Sequence, residues 1–479
     1  MDPASFRRHG HELVEWIARY LEHPERYPVL SGNAPGDIAA ALPSHAPEDP
    51  EPFDAIFADF ERVLVPGLTH WNHPGFFAYF AISSSAPGIL AEFLSAALNQ
   101  QAMLWRTSPA ATELEAVALG WLRELMGLPS TFDGVIYDTA SISTLHALAA
   151  ARHARMPDVR AHGLAGSPPL RVYCSTHAHS SVDKAVILLG LGHESLRKVP
   201  ADAAFRLDPL ALRAAIRADR ARGDVPLAVV ATVGTTATTS VDPLRAIAEV
   251  CAESGVWLHV DAAYAGAAAI LPDHRHILDG AEQADSLVVN PHKWLFVPFD
   301  LSAFYCRRMD VVRDAFSLVP DYLKTSERAP VKNLMDTGIQ LGRRFRALKL
   351  WMVLRTFGAR GMRERIAGHI EMARTFAGWV DADDRFVRVA PAPFSVVCFR
   401  WEPRVLTLSA DRIDALNAEL LDRVNRTGEV FLSHTTLEGR FVLRLAVGHE
   451  RTTIDHVARA WTLLREQARE VERQVTGAP

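Results

Sequence analysis

Two titratable side chains stand directly after short apolar runs of the chain. Asp261 follows the run 256–260, and Lys293 follows the run 286–289 with only Asn-Pro-His between them. A carboxylate in a dry site can pair with a protonated ring nitrogen, and a partly desolvated lysine is a nucleophile toward an aldehyde. Each residue alone has an ordinary explanation, as a helix N-cap or as a surface lysine. About one helix and one strand of chain separates them, which favours a shared site.

An imidazole follows another apolar run. His179 lies just past the run 170–174, and a flat imidazole can both stack on a ring and offer a proton. His177 and His179 also form an H-x-H pair, which is a spacing that metal sites use. No third ligand is evident, so the sequence predicts no metal site.

A turn of small and hydroxyl residues precedes a helical stretch, 144–152. The turn reads Asp138-Thr-Ala140-Ser141, and a helix that begins there would present backbone N–H groups and a positive dipole end to a phosphate. An ordinary capped helix would have the same sequence. The chain has no G-x-x-x-x-G-K-[ST] motif and no well-placed G-x-G-x-x-G, so a nucleotide is not the implied phosphate carrier.

These four features are weak singly and specific together. A lysine that can form a Schiff base, a carboxylate for a ring nitrogen, a stacking imidazole and a phosphate cradle describe pyridoxal 5′-phosphate (PLP). The sequence therefore predicts a PLP enzyme that carries its cofactor on Lys293.

The elements that must position these residues are short runs that are apolar on both sides. They are expected as strands at 170–174, 227–233, 256–260, 286–289 and 302–306. Such runs, alternating with helical segments such as 243–254, are typical of a mainly parallel α/β sheet covered on both faces. Ligands of open sheets collect beyond the carboxyl ends of the strands, where the four features lie.

Composition excludes several other classes of protein. The 479 residues carry a formal net charge of −5 and 22% charged residues, so nothing favours nucleic acid or an anionic membrane as a partner. Four widely spaced cysteines argue against a disulfide framework and suit a reducing compartment. The chain shows no signal peptide and no apolar run long enough to span a bilayer. We expect a soluble, cytoplasmic protein.

The length predicts three parts. Residues 1–80 form an N-terminal helical arm packed on another subunit, residues 81–355 a large cofactor-binding domain, and residues 356–479 a small C-terminal α+β domain. In the large domain, Ser108-Pro109 begins a helix that ends at Gly127, with a capping box at Thr112-x-x-Glu115. A long helix is predicted over 343–358. In the small domain, strands at 394–401 and 441–447 flank a helix at 411–426, and a final helix covers 454–475.

The cofactor motif also resembles a known family. Asn290-Pro-His-Lys293-Trp is similar to the lysine signature of the group II PLP-dependent decarboxylases, typified by aromatic-L-amino-acid decarboxylase. The resemblance extends over nearly the whole chain, through Trp71-Asn-His-Pro-Gly-Phe-Phe-Ala-Tyr79-Phe80, Ser108-Pro-Ala-Ala-Thr-Glu-Leu-Glu115, Ala178-His179-Ser-Ser181, Gly234-Thr-Thr236, His259-Val-Asp261-Ala-Ala-Tyr-Ala-Gly266 and Leu341-Gly-Arg-Arg-Phe345. It implies PLP-dependent transferase fold type I, which is aspartate-aminotransferase-like, in an obligate homodimer.

The resemblance assigns roles to residues at matching positions. It implies that Lys293 forms the Schiff base, Asp261 pairs with the pyridinium nitrogen and His179 stacks on the ring. It implies further cofactor contacts, to the phosphate and around the ring, for Ala140, Ser141, Asn290, Thr236, Ala263 and His292. It places the substrate pocket, partly across the dimer interface, at Trp71, Tyr79, Phe80, Met103 and Arg444.

Three positions depart from the family pattern. The loop between Tyr322 and Leu341 usually carries a tyrosine that donates a proton after CO₂ leaves, and that position is Leu334 here, which has no proton to give. Ile142 stands where many relatives have glutamate, and Met103 where an aromatic residue is common.

The predicted function is decarboxylation of an aromatic L-amino acid to the amine and CO₂. The missing tyrosine leaves open oxidative decarboxylation-deamination to an aromatic aldehyde, or a PLP-binding protein with little catalysis. An acidic substrate, an aminotransferase of the same fold and a metallohydrolase are more distant alternatives.

Overall fold

The computed structural model describes residues 1–318, 331–403 and 408–476, and the chain divides into two compact units. Unit 1 comprises Met1–Ala81, Gly378–Val387 and Phe399–Pro479. Unit 2 comprises Ile82–Ala377 and Arg388–Cys398. The division into arm, large domain and small domain stays a prediction.

The secondary structure of the described residues alternates helices and strands through most of the chain. The strands are β1 (Phe76–Phe77), β2 (Asp133–Tyr137), β3 (Leu170–Ser175), β4 (Leu196–Val199), β5 (Val225–Thr232), β6 (Trp257–Asp261), β7 (Ser286–Val289), β8 (Ser302–Cys306), β9 (Phe386–Arg388), β10 (Val396–Trp401), β11 (Phe431–Leu437) and β12 (Arg440–Ala446). The helices are α1 (Pro3–Glu22), α2 (Asp37–Ala41), α3 (Phe53–Asp59), α4 (Val65–Gly67), α5 (Ala86–Leu98), α6 (Pro109–Met126), α7 (Ala140–Arg155), α8 (Val159–His162), α9 (Ser181–Leu188), α10 (Pro209–Ala221), α11 (Leu244–Ser254), α12 (Pro291–Trp294), α13 (Met309–Phe316), α14 (Ala347–Ala382), α15 (Ala410–Arg426) and α16 (Ile454–Thr476).

Unit 2 is built on a seven-stranded sheet in the order β2-β8-β7-β6-β5-β3-β4. Strand β8 is antiparallel to both of its neighbours, and the other six run in one direction. The five predicted strands are confirmed within two residues at each end, because their apolar residues are buried on both faces. Strands β2 and β4 were not predicted, since the first begins with Asp-Gly and the second carries Arg-Lys.

Helix α6 begins and ends where the sequence predicted, but the predicted capping box is wrong. Thr112 lies inside the helix, and its hydroxyl donates to the carbonyl oxygen of Ser108 at 3.0 Å. Glu115 reaches away from the helix instead. Its carboxylate accepts the N–H of Ile136 at 2.8 Å and pairs with Arg343 at 2.8 Å. Both members of this ion pair are buried, so Glu115 joins three separate segments of unit 2.

The long helix α14 differs from its predicted bounds. The helix starts at Ala347, four residues after its predicted start at Arg343. Arg343 precedes the helix, where its side chain pairs with Glu115 and donates to the carbonyl oxygens of Ala102 and Ile136. The helix is interrupted at Gly358, where φ is 62° and ψ is 172°, and then continues to Ala382. A residue with φ in this range is most often glycine.

Unit 1 contains most of a five-stranded sheet in the order β1-β11-β12-β10-β9. The N-terminal segment contributes β1, which pairs in parallel with β11 through Phe76–Phe431 and Phe77–Leu432. The predicted helices α15 and α16 and the strands β10 and β12 are confirmed with small changes of boundary. Strand β11 was not predicted, because its polar residues obscure the alternation of apolar and polar side chains that is typical of a strand. Within the described ranges, no helix combines the length and apolar character that crossing a membrane requires.

Candidate active site

The predicted cofactor residues all follow strands of unit 2 that run in the same direction. Their carboxyl ends therefore meet at one edge of the sheet, where ligands of such sheets bind. The structure places Ala140 and Ser141 after β2, His179 after β3, Thr236 after β5, Asp261 and Ala263 at the end of β6, and Asn290, His292 and Lys293 after β7.

Backbone hydrogen bonds hold the two central groups at this edge. Asp261 is buried, and one carboxylate oxygen accepts the N–H of Ala263 at 3.1 Å. The carbonyl oxygen of Ala263 accepts the N–H of Asn290 at 3.0 Å, and that of Asn290 accepts the N–H of Lys293 at 2.9 Å. The lysine and the carboxylate are thus positioned by one short chain of bonds between adjacent strand ends.

His179 lies close enough to Asp261 and Lys293 for both charges to affect its pKa. Burial is the main cause that lowers the pKa of its ring, Asp261 opposes that effect and Lys293 adds to it. The Nδ1 atom accepts the N–H of Ser181 at 3.1 Å, so in the neutral ring the proton is on Nε2. A neutral imidazole in this place can stack on a flat cofactor and donate from Nε2.

The residues around Lys293 also have assigned hydrogen bonds. His292 is buried, its Nδ1 accepts the N–H of Leu301 at 2.9 Å, and burial lowers its pKa to about 3. Asn290 is buried as well, and its side-chain oxygen has no hydrogen-bond partner in the part of the chain that the structure describes. A buried acceptor without a partner is costly, so this oxygen is suited to a donor on a ligand. The N–H groups of the same amide are the part that can bond to a phosphate.

The N-terminus of α7 is suited to bind an anion. The N–H groups of Ile142 and Ser143 bond to the carbonyl oxygen of Thr139, while those of Ala140 and Ser141 precede the first bonds that the helix can make. Ser141 is exposed and Ala140 is half-buried. Sixteen residues of helix place a positive dipole end at this point, as a phosphate requires.

The loop after β5 is closed by hydroxyl groups that sequence reasoning missed. Thr235 and Thr238 are 3.0 Å apart at their hydroxyl oxygens, and Thr238 and Ser240 are 2.8 Å apart. Gly234 has φ of 90°, and a side chain there would meet the Cβ of Ala265 at 2.6 Å. The run Gly-Thr-Thr-Ala-Thr-Thr-Ser was the available signal. This loop presents Thr236 as an exposed residue.

A buried histidine beside Asp261 was also missed. His259 precedes Asp261 by two residues in β6, which places both side chains on one face of the strand. Its Nδ1 lies 2.9 Å from the hydroxyl of Ser286, which also accepts the indole N–H of Trp257 at 3.0 Å. Burial lowers the pKa of His259 to about 4, so this ring is neutral at pH 7.

Unit 1 brings together four of the five predicted substrate residues. Trp71 and Tyr79 stack with ring centroids 5.7 Å apart. The guanidinium of Arg444 lies 4.7 Å from the centroid of the Phe80 ring and donates to the carbonyl oxygen of Tyr79. Tyr79 is 53% exposed, whereas Phe80 and Arg444 are buried. The group therefore offers an exposed aromatic face held by a buried cation.

Met103 and Leu334 lie in unit 2, near each other in a packed region. Met103 contacts Leu104 and Met335, and its carbonyl oxygen accepts the N–H of Met335 at 3.1 Å. Leu334 is buried in the hydrophobic core of unit 2, in a cluster that also includes Val135 and Tyr137. It therefore packs as a core residue in this conformation. Residues 319–330 of the predicted loop, with Tyr322, lie outside the described residues.

Taken together, the edge of the sheet fits a ligand with an aldehyde, a ring nitrogen and a phosphate. The Lys293 amine suits the aldehyde, the buried Asp261 carboxylate suits the ring nitrogen and the N-terminus of α7 suits the phosphate. The neutral His179 imidazole and the Asn290 amide are further polar groups at the same edge of the sheet. A metal ion would instead need several anionic or imidazole ligands around one point.

Comparisons with known proteins agree with this chemistry. The family profile of the pyridoxal-dependent decarboxylase conserved domain matches residues 35–402. The chain is 40% identical to a phenylacetaldehyde synthase of Rosa hybrid cultivar, over 98% of this chain and 95% of that protein. It is 41% identical to tyrosine decarboxylase 4 of Petroselinum crispum, over 98% and 94%. The crystal structure of Oryza sativa TDC with PLP and tryptamine superposes with a TM-score of 0.95 at 39% identity, covering 98% of this chain and 99% of that one.

Proposed function

The chain belongs to the pyridoxal-dependent decarboxylase family, and from that premise we propose that it decarboxylates an aromatic L-amino acid to the corresponding amine. The observation that carries the proposal is the convergence of Lys293, Asp261 and His179 at the carboxyl edge of one sheet. The similarity to a tyrosine decarboxylase and to a structure that contains PLP and tryptamine supports an aromatic substrate. The fold is the α/β fold type I of the decarboxylases that it superposes on.

Each cofactor-site residue has a task that its environment allows. PLP, when bound, supplies a ring that accepts the electron pair of the Cα–carboxylate bond. Lys293 holds its aldehyde, and Asp261 keeps the ring nitrogen protonated from a buried position. His179 covers the ring as a neutral imidazole. Ala140, Ser141 and Asn290 hold the phosphate, and Thr236, Ala263 and His292 complete the walls.

The substrate side chain meets an aromatic surface in this proposal. In this pocket, which the resemblance places partly across the dimer interface, Trp71, Tyr79 and Phe80 supply rings and Met103 supplies a flexible apolar side chain. Arg444 holds the backbone of Tyr79 through its carbonyl oxygen and contributes the cation of the pocket. Phe, Tyr, Trp and Dopa are the substrates to compare, and preference for Glu over all four would overturn the aromatic assignment.

The product depends on how the reacting carbon regains a proton. Leu334 has none to donate, so His179 Nε2 or water must do it for the amine to form. If neither group protonates the reacting carbon fast enough, O₂ accepts the electron pair that the departing CO₂ leaves behind. The amino acid, O₂ and water then give the aromatic aldehyde, CO₂, ammonia and hydrogen peroxide. The similarity to phenylacetaldehyde synthases supports this second candidate.

One experiment separates the two products. Purified holoenzyme is incubated with each aromatic amino acid in air, and amine, aldehyde and peroxide are measured. We expect amine as the main product, with a larger amine share in Leu334→Tyr. Leu334→Phe is the matched control, because it adds the same ring without the phenol. Dominant aldehyde with stoichiometric peroxide in the parent enzyme refutes the simple decarboxylase. A holoprotein that yields neither product supports a PLP-binding role with little catalysis.

A homodimer is part of the same proposal. Helix α5 of unit 2 exposes a band of large apolar side chains that a second subunit would cover, namely Leu90, Phe93, Leu94 and Leu98. Light scattering should give about twice the chain mass of 52.8 kDa, and Leu94→Glu should shift it toward that of one chain. The four cysteines are free thiols and all buried, which supports a cytoplasmic location.

A further inference from the structure

Unit 2 contains a second cavity whose lining shares no residue with the predicted cofactor site. Its volume is about 690 Å³, which is within the usual range for small-molecule sites. Much of the wall is apolar and comes from two distant parts of the sequence, through Val241, Leu244, Ile277, Pro391, Pro393 and Phe394. The cavity is partly open to solvent, so a ligand can enter without unfolding the wall.

The polar part of the lining carries charges of both signs. Arg206 and Arg245 bring cations, and Asp242, Glu249 and Asp279 bring carboxylates. Among the described residues, Arg245 has one ion pair, a distant one with Asp279 at 3.9 Å, whereas Arg206 is paired with Asp202 at 2.7 Å. Arg245 is therefore the cation more available to a ligand.

Two uncharged features add hydrogen-bonding capacity. The first turn of α11 borders the cavity, and its N-cap residue, Pro243, makes no side-chain capping bond. The Nδ1 atom of His274 is buried and has no hydrogen-bond partner in the described part of the chain. Backbone N–H groups of an uncapped first turn attract a carboxylate, whereas the orphan nitrogen has almost no accessible surface and would reach a ligand only after the ring turns.

We propose that this cavity binds an aromatic amino acid as a regulatory ligand. The ring of the ligand packs against Pro393 and Phe394. Its carboxylate lies at Arg245 and the start of α11, and its ammonium group lies at Glu249 or Asp279. A zwitterion with an aromatic body is the class that uses both charge signs and the apolar wall together. A simple amine would leave the cation and the free N–H groups unused.

The cavity wall is continuous with the loop that presents Thr236. The N–H groups of Gly234 and Thr235 both donate to the carbonyl oxygen of Ser240, and the N–H of Ser240 donates back to the hydroxyl of Thr235 at 3.0 Å. Asp242 binds the backbone of Thr232 in both directions, at 2.8 and 2.9 Å. A ligand that packs on the segment 240–242 therefore restrains the loop 234–240.

The test uses holoenzyme whose Lys293–cofactor imine has been reduced by borohydride to a stable amine, so that substrate cannot react. L-Tryptophan binding is measured by calorimetry in this protein and in Ala246→Phe, which fills the cavity from the first turn of α11. Ala218→Phe, at an exposed alanine of α10, is the matched control. We expect binding to be lost in Ala246→Phe and kept in Ala218→Phe, and deuterium exchange of residues 234–240 to slow when L-tryptophan is bound.

A second pair of measurements identifies the charge recognition. Arg245→Gln, a change at an exposed residue, should weaken L-tryptophan about tenfold, an effect of about 1.4 kcal/mol, and leave tryptamine unchanged. No binding to the reduced holoenzyme, or equal binding to Ala246→Phe, overturns the site. Tryptamine binding as tightly as L-tryptophan overturns the zwitterion, and unchanged exchange in the loop overturns the regulatory link.

Discussion

Replacing Tyr79 by glycine should separate the catalytic value of this residue from its conformational cost. Tyr79 has φ of 50°, in the left-handed region that side chains rarely adopt. It is 53% exposed and stacks on Trp71 at 5.7 Å. A strained and exposed aromatic residue contributes little to folding, and we attribute its retention to contact with the substrate ring.

The expected magnitudes follow from these contacts. Glycine relieves a backbone cost of about 1–2 kcal/mol, loses about 0.5–1 kcal/mol through greater freedom of the unfolded chain, and loses a ring contact of about 0.5–1.5 kcal/mol. The three nearly cancel, so Tm should stay within about 3 °C. Loss of the ring from the substrate pocket should lower kcat/KM by about 10- to 100-fold, mainly through KM.

Steady-state kinetics and thermal unfolding of the holoenzyme measure the two effects. Tyr79→Phe keeps the ring and should retain near-normal KM. Glu438→Gly is the second control, because Glu438 has the same φ of 50° in the turn between β11 and β12. It should show the conformational effect together with the loss of one exposed ion pair to Arg440, which contributes about 0–1 kcal/mol. If kcat/KM of Tyr79→Gly equals that of the parent enzyme, Tyr79 does not contact the substrate and the pocket assignment is wrong.

Three further outcomes are expected. Lys293→Ala should bind PLP without fixing it, so that borohydride no longer adds the cofactor mass to the chain; retained fixation would show that another amine carries the cofactor. Glu115→Gln should lower the free energy of unfolding, measured with denaturant, by about 3–5 kcal/mol, because it leaves the buried Arg343 charge without its partner. Adding Arg343→Met to this variant removes the buried charge and should recover part of the loss. Burial raises the pKa of Asp242 from 3.8 to about 6. The stability that this group contributes is therefore complete below pH 3.8 and is lost as the pH rises through 6, a change of about 3 kcal/mol in the free energy of unfolding. Asp242→Asn should lack this pH dependence, and a variant with the same pH profile as the parent would contradict the assignment.

The residues that the sequence predicts for the cofactor lie after strands of one sheet, as expected, because the signals that locate strand ends are local. Asp261 and Lys293 stand next to their own strands, and a buried strand end is visible from the few residues around it. Parallel strands then place those ends together without further information.

Long-range partners could not be read in the same way. Thr112 and Glu115 have the spacing of a capping box, yet Glu115 turns to Ile136 and Arg343, which are distant in sequence. Leu334 was located by its distance from a motif, and only the folded chain shows that it is buried in a core.

The sequence by itself determined which residue types stand at the strand ends, and hence the cofactor and the class of reaction. The tertiary structure decided the pairing of β1 with β11, the buried pair of Glu115 and Arg343, and the cavity formed by α11 and residues 391–394. The reason is physical: strand and helix signals depend on neighbours a few residues away, whereas pairing and cavity walls depend on which distant segments the whole chain packs together.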